Sequence, residues 1–469
     1  MKILLLRPLY KINRYSRSVP LSYLRLASYL IENNHEPYIL DMLFDDVTES
    51  MVDEFIREKD IDTIGIGCMT CEYKAAITQA ERLKKMDSNL KIIFGGPHPT
   101  GNPKKCIDTG FVDYAIAGEG EVALSSLLTG LEHDDPLDNI PGLWFKKDGE
   151  VHSGGYAEPV DIESMPLPAF DIVDLERYFA LDPPWHFPKS KRVVQFGTSR
   201  GCPFNCSYCH HIHGKKARLM SAEKVVSQIE TLYNKHKVRE IIVIDDIFNV
   251  NLERAKNICK GLIEKNMKLS IQFPNGLRGD IFDDELMRLL KKAGTHYIAV
   301  AIETSSDRLQ KLIRKNLKIE RALQTVATAK KYGIEVGGFF MIGFPSETKE
   351  EVKKTIDLAI NNPFDIAFFS IVAPYEGTEL RRDILNGHFG EEARAALKAN
   401  PDEEFPVFYN PDLTREMLIK MRMFGYIRFY TKPARTFNLI KKMYRLVYIK
   451  QIIRAIYRRL IFSKTVSVS

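Results

Sequence analysis

The 469-residue sequence has no apolar run long enough to cross a membrane as a helix. Its first residues, Met1-Lys-Ile-Leu-Leu-Leu-Arg7, lack the longer apolar region and small-residue cleavage site of a secretory signal. Cysteine is scarce, and an odd total of seven does not make a disulfide framework. Free thiols imply a reducing compartment, and the cytoplasm is the expected location. Acidic residues are missing after Glu416, where Lys420, Arg422, Arg428, Lys432, Arg435, Lys441, Lys442, Arg445, Lys450, Arg454, Arg458, Arg459 and Lys464 follow. Those thirteen charges exceed the net charge of +6, so the chain before them is net acidic. Basicity confined to a tail argues against a nucleic-acid-binding body, and no nucleic-acid partner is expected. With 45% hydrophobic and 27% charged residues, the composition is that of a soluble protein long enough for two or three domains.

What is present is concentrated in the run Arg200-Gly-Cys-Pro-Phe-Asn-Cys-Ser-Tyr-Cys-His210. Cys202, Cys206 and Cys209 can fold around one corner of an iron–sulfur cube, one thiolate to each of three irons. A [4Fe–4S] cluster normally has four Cys ligands, so three leave one iron open to a substrate or cofactor. A structural zinc ion is the alternative. Zinc usually needs four ligands in paired spacings, and no second C-x2-C pair lies downstream. His210, His211 or His213 could supply a fourth ligand, so that reading stays open.

Residues 1–135 read as alternating strands and helices, the pattern of an open parallel sheet. The strands are Lys2–Leu6, Pro37–Leu43, Ile61–Gly67, Lys91–Phe94 and Tyr114–Ala117, with helical spacing at Leu21–Glu32, Lys74–Met86 and Glu121–Leu131. Ligands of such sheets bind beyond the carboxyl ends of the strands. Those ends carry Arg7-Pro8, Gly67-Cys-Met-Thr70, Gly95-Gly-Pro-His-Pro-Thr100 and Gly118-Glu-Gly-Glu121. Cys68, Cys71 and Cys106, unevenly spaced, read as ordinary thiols. Residues 136–187 are Pro-rich and read as a linker. Within 188–385, six strands alternate with helices, too few for a closed eight-stranded barrel. They are Val193–Gly197, Glu240–Ile244, Leu269–Phe273, Tyr297–Ile302, Val336–Ile342 and Ile366–Val372. Their ends are polar: Asp245-Asp246, Pro274-Asn275-Gly276, Glu303-Thr304-Ser305, Gly343-Phe-Pro-Ser-Glu347 and Pro374-Tyr-Glu-Gly-Thr378. Asp246 could equally cap the next helix, and Arg200 and Arg278 could bind anionic groups or form surface ion pairs. Residues 386–469 form a helical region, with an imperfectly amphipathic basic helix over Phe437–Phe462.

The cysteine spacing, with Tyr208 before the last Cys, resembles the signature of radical S-adenosylmethionine (SAM) enzymes. The four N-terminal loops resemble the cobalamin-binding domain that precedes the cluster domain in many of them. The resemblance implies an α/β fold: a Rossmann-like cobalamin-binding sheet, then a partial (β/α)6 radical SAM barrel. It implies SAM near Asp245, Asp246, Glu303, Ser305, Gly338 and Gly343, and cobalamin near Thr70, Gly95, Gly96, Thr100 and Gly118. The D-x-H-x-x-G motif that supplies a cobalt-ligating His elsewhere is absent, so His98 is not assigned as a ligand.

Such architectures most often imply C-methylation of an unactivated carbon through a 5′-deoxyadenosyl radical, with flavodoxin or ferredoxin as electron donor. Oxidation, cyclisation or ring rearrangement without methyl transfer is an alternative. A tRNA methylthiotransferase would carry a second three-Cys cluster and a C-terminal β-barrel, which this sequence does not show. A non-catalytic cobalamin sensor or membrane-associated interaction protein is the remaining reading, disfavoured by the intact cysteine loop. The tail is expected to lie on anionic lipid, bind an acidic partner or dock on its own chain, and a lipid or other small-molecule substrate suits the first of these.

Overall fold

A computed structural model describes residues 1–9, 18–181, 188–399 and 413–443. Two sheets organise it. The first contains β1 (Lys2–Arg7), β2 (Glu36–Asp41), β3 (Thr63–Gly67), β4 (Lys91–Gly95), β5 (Tyr114–Ile116), β6 (Leu143–Lys147) and β7 (Glu150–Ser153), in the order β2-β1-β3-β4-β5-β6-β7. Its first five strands are parallel, and β6 and β7 add on in antiparallel sense. The run Ile3–Leu6 is fully buried because helices cover both faces of a parallel sheet, which is why β1 reads as an unbroken apolar stretch.

The second sheet takes β8 (Val193–Phe196), β11 (Glu240–Val243), β12 (Ser270–Leu277), β13 (Thr295–Glu303), β14 (Glu335–Ile342) and β15 (Ile366–Ile371) in sequential order, all parallel. Between β8 and β11 lies a two-stranded antiparallel ribbon, β9 (Ser199–Arg200) and β10 (Arg218–Leu219). The crossover helices begin at polar caps, such as Ser221, Asn251, Asp283 and the Thr348–Glu351 capping box. β8 and β15 are the two ends of the sheet and are not paired with each other.

Two features depart from the sequence reading. A helix spans Glu49–Lys59 where none was expected: it buries only Val52 and Ile56, so its apolar stripe is one residue wide. The Pro-rich stretch 136–187, expected to be a linker, is in part sheet, since β6 and β7 come from it. Residues 415–435 dock on the body of the chain. Helix Arg415–Tyr430 packs along β15 with Leu418 and Phe429 fully buried, and the Tyr426 hydroxyl accepts from Phe369 N at 3.0 Å. Beyond it, the Arg435 guanidinium donates to the carbonyls of Ala359, Ile360, Asn362 and Phe364. Helix Pro433–Met443 covers the start of the expected Phe437–Phe462 helix, and residues 444–462 of that expectation lie outside the described residues. No described helix is long and apolar enough to cross a membrane.

Candidate functional site

At the C-terminal edge of the first sheet, three of the expected cobalamin residues are tied to one another and a fourth, Thr70, to His98. Thr100 Oγ1 donates to Gly96 O at 2.8 Å and accepts from Gly118 N at 3.1 Å. Thr70 Oγ1 lies 3.4 Å from His98 Nδ1. Gly96 has φ +96°, and a Cβ there would sit 3.2–3.3 Å from the backbone of Cys68. Its glycine is therefore required by the chain's own turn rather than by a ligand. Gly95 differs: a Cβ on it would meet nothing within 4 Å, so this face is open.

The buried His98 ring stacks on Tyr73 at 4.0 Å, and its Nε2 has no hydrogen-bond partner. Burial, with Lys105 nearby, pushes the imidazole down to about 4, which leaves it neutral. An open glycine face beside an orphaned buried nitrogen fits a bulky polar ligand such as cobalamin. Cys68 and Cys106 are buried and Cys71 half-buried, and none of the three is in a disulfide. Burial pushes Cys106 up to about 12, the state of an inert thiol.

The cysteine loop leaves the ribbon β9–β10. Gly201 has φ +82°, and a Cβ there would strike Lys216 O, so only glycine lets the loop close. Further bonds fix the loop: Gly201 N to Asp246 Oδ2 at 2.8 Å, Cys202 N to Gly214 O at 3.3 Å and Ser207 N to Ile313 O at 2.9 Å. Cys202 and Cys206 are half-buried and Cys209 is exposed as a residue, all as free thiols. Burial, followed by the neighbouring Cys206 and Cys202, pushes the Cys209 thiol up to about 12. Burial raises the Cys206 thiol too, with Lys315 and Arg278 opposing the rise. Three free thiols with two cations beside them suit an anionic cluster. Among the described residues no three His, Cys, Asp or Glu side chains converge on a single ion. A cube presents a separate iron to each thiolate and does not require such convergence.

The strand ends are more differentiated than their sequence suggested. Asp245 is buried and accepts from Thr198 N and Oγ1, both at 2.5 Å, and from Ser199 Oγ at 2.7 Å. Its carboxylate is engaged in holding the end of β8. Asp246 is exposed and orders the start of the cysteine loop. Glu303 is buried with φ +69°, a strained position for a side chain, and accepts from Tyr208 Oη and Lys315 Nζ, each at 3.1 Å. Ser305 bonds to Thr355 through its backbone N and its hydroxyl. A Cβ on Gly338 would strike Phe340 and Phe364, and one on Gly343 would strike Leu418. Both glycines thus also serve packing. Arg200 and Arg278 are not surface pairs. Arg278 stacks on Phe204 at 3.8 Å and bonds Asp280 and the carbonyls of Lys315 and Asn316.

Arg200 joins the two halves of the site. Its guanidinium bonds Glu119 at 3.0 Å and also Glu121, the N-cap and a first-turn residue of the helix Gly120–His133 that follows β5. Arg218 and His213 bond Glu119 as well. The C-terminal edges of the two sheets therefore face each other. Lys315, Glu119 and Glu121 went unassigned at the sequence level; the two glutamates stand in a motif already singled out, whereas nothing in the sequence around Lys315 marks it.

A profile of the B12 binding domain matches residues 9–128, and one of the radical SAM superfamily matches residues 197–359. An uncharacterized methyltransferase of Pyrococcus horikoshii is 31% identical over 418 residues, covering 88% of each chain. Cytidylyl-2-hydroxyethylphosphonate methyltransferase of Streptomyces wedmorensis is 26% identical over 443 residues, covering 83% of this chain and 82% of that one. In fold, the chain is similar to the radical SAM methyltransferase TsrM of Kitasatospora setae, solved with cobalamin and a [4Fe–4S] cluster. The TM-score is 0.67 at 18% identity, over 82% of this chain and 74% of that one. The open loop at Gly95, the three-thiol loop and these matches agree: the chain belongs to the cobalamin-dependent radical SAM enzymes, whose cofactors are a [4Fe–4S] cluster, SAM and cobalamin.

Proposed function

We propose that the protein transfers a methyl group to an unactivated carbon of a small molecule. The observation that carries this reading is the ion-paired meeting of the two loop systems through Arg200 and Glu119. It supports a reading in which the loops after β3, β4 and β5 and the cysteine loop border one shared space. When bound, the cluster and SAM supply a hydrogen-abstracting radical and cobalamin supplies the methyl group. In this reading Cys202, Cys206 and Cys209 hold the cluster. Asp246, Glu303 and Ser305, with the β14 backbone at Gly338 and Gly343, receive SAM, and Asp245 holds the strand end beneath them. Thr70, Gly95, Gly96, Thr100 and Gly118 line the cobalamin side. The chain's own task is to orient these groups and exclude water from the space between them.

The substrate is a small molecule, a lipid among the candidates. The anaerobically purified enzyme, supplied with SAM carrying a deuterated methyl group and a low-potential reductant, is incubated with small-molecule extract from cells lacking the gene. A cellular compound that gains the labelled methyl on carbon supports the proposal. Formation of 5′-deoxyadenosine with an altered but unlabelled product would replace it with radical oxidation or cyclisation.

A further inference from the structure

The ribbon that closes the cysteine loop has a charge problem. In the β9–β10 pair Arg200 stands directly opposite Arg218. Like charges facing each other across paired strands are destabilising. Among the described residues, every carboxylate bonded to either guanidinium comes from the start of the helix that follows β5 in the first domain: Glu119 and Glu121 to Arg200, and Glu119 to Arg218. His213, inside the cysteine loop, also reaches Glu119, at 3.2 Å. A further cation, Arg25, donates to Gly197 O at 2.8 Å just ahead of the ribbon. Glu119 is thus the common partner of three basic side chains from the loop and its base.

The side chains of Glu119 and Glu121 are 5% exposed and that of Arg200 is 7% exposed. Ion pairs this deeply buried lose much of their attraction to desolvation and are better suited to fixing register than to adding stability. Removal of one partner is costly, because the remaining charge stays buried.

We propose that Glu119 is a cross-domain positioning residue, the counter-charge that closes the base of the cysteine loop. Docking of the cobalamin sheet and retention of the cluster are then one event. With Glu119 neutralised, Arg218 loses its bonded carboxylate and stands against Arg200, which keeps Glu121 alone; the ribbon opens, and the three cysteines lose their common frame. The inference rests on the cysteines being the cluster ligands.

The test uses the full chain, reconstituted anaerobically, and measures iron release to a chelator by absorbance. Glu119→Gln should release iron about tenfold faster than wild type, and Glu119→Gln with Arg218→Gln should return to within about threefold of it, because the second change removes the repulsion. Wild-type iron retention in Glu119→Gln, or a double variant as labile as the single one, would overturn the proposal. If Glu119→Gln is insoluble, a soluble, cluster-bearing double variant supports the counter-charge, and two insoluble proteins overturn it. Tryptic cleavage at the exposed Lys215 and Lys216 reads loop opening without the metal and should quicken in Glu119→Gln alone. Should a Cys202, Cys206, Cys209→Ala variant keep its iron, the ligand assignment fails, and the cleavage rates still decide the role of Glu119.

Discussion

Tyr208 Oη donates to Glu303 Oε1 at 3.1 Å, so the cysteine loop is fastened to the end of β13 by the aromatic residue that precedes its last cysteine. Lys315 Nζ bonds the same carboxylate oxygen and lies 3.3 Å from the same hydroxyl. Glu303 and Lys315 are both nearly buried, at 8% and 9% side-chain exposure. Glu303→Ala should therefore leave Lys315 uncompensated and cost about 3 kcal/mol in chemical denaturation. SAM affinity, measured by calorimetry, should fall with it. Tyr208→Phe should keep Glu303 paired to Lys315 and lose far less of either.

The cysteine assignment predicts about four iron per chain in anaerobically purified protein. Replacing Cys202, Cys206 and Cys209 together by Ala should abolish the visible cluster absorption and SAM cleavage. Cys68, Cys71 and Cys106 should each be dispensable for iron content.

The two adjacent glycines before His98 should behave differently. Gly95→Val adds bulk to an open face, so cobalamin affinity should drop while thermal stability holds. Gly96→Val forces a β-branched side chain into positive φ against the Cys68 backbone and should destabilise the domain itself. Equal melting temperatures for the two variants would contradict this division.

Burial raises the Glu347 carboxyl from the ordinary 4.5 to about 8. The folded state thus holds this proton where the unfolded chain has released it. The stability contribution is present below the unfolded value and is lost as pH rises through about 8. Glu347→Gln cannot ionise. Denaturation curves across this window should show the variant gaining stability relative to wild type as pH rises.

The docked tail makes a further prediction. Phe429 is fully buried, and Phe429→Ala should cost about 3–5 kcal/mol in denaturant unfolding. Arg435→Ala should also destabilise the fold, since four carbonyls lose one shared donor. A tail acting only at a lipid surface would leave stability in solution unchanged in both variants.

The parallel strands were legible in the sequence because burial on both faces makes each one a short apolar run ending at polar or small residues. The cysteine loop was legible because its ligands are local. What sequence did not show is non-local or weakly patterned. Helix Glu49–Lys59 shows only two buried residues. The prolines at 97 and 103 concealed two short helices that start with them. Glu119 and Arg200 each stood in a recognised motif, but their pairing depends on how two sheets meet. Asp245 looked like a ligand-facing acid. Its three bonds to Thr198 and Ser199 depend on the return of the chain beside β8, which spacing does not encode.

The β6–β7 hairpin bears on how this chain can be divided. Ala117 N donates to Gly142 O and Ala157 N to Ala117 O, each at 2.8 Å, and β5 pairs with β6 along its length. A fragment stopped at residue 135 would present β5 as a bare edge, its amides and carbonyls a template for another copy. Such a piece should self-associate before it binds anything. One carried through to about Val160, past the last of these contacts, keeps the edge covered.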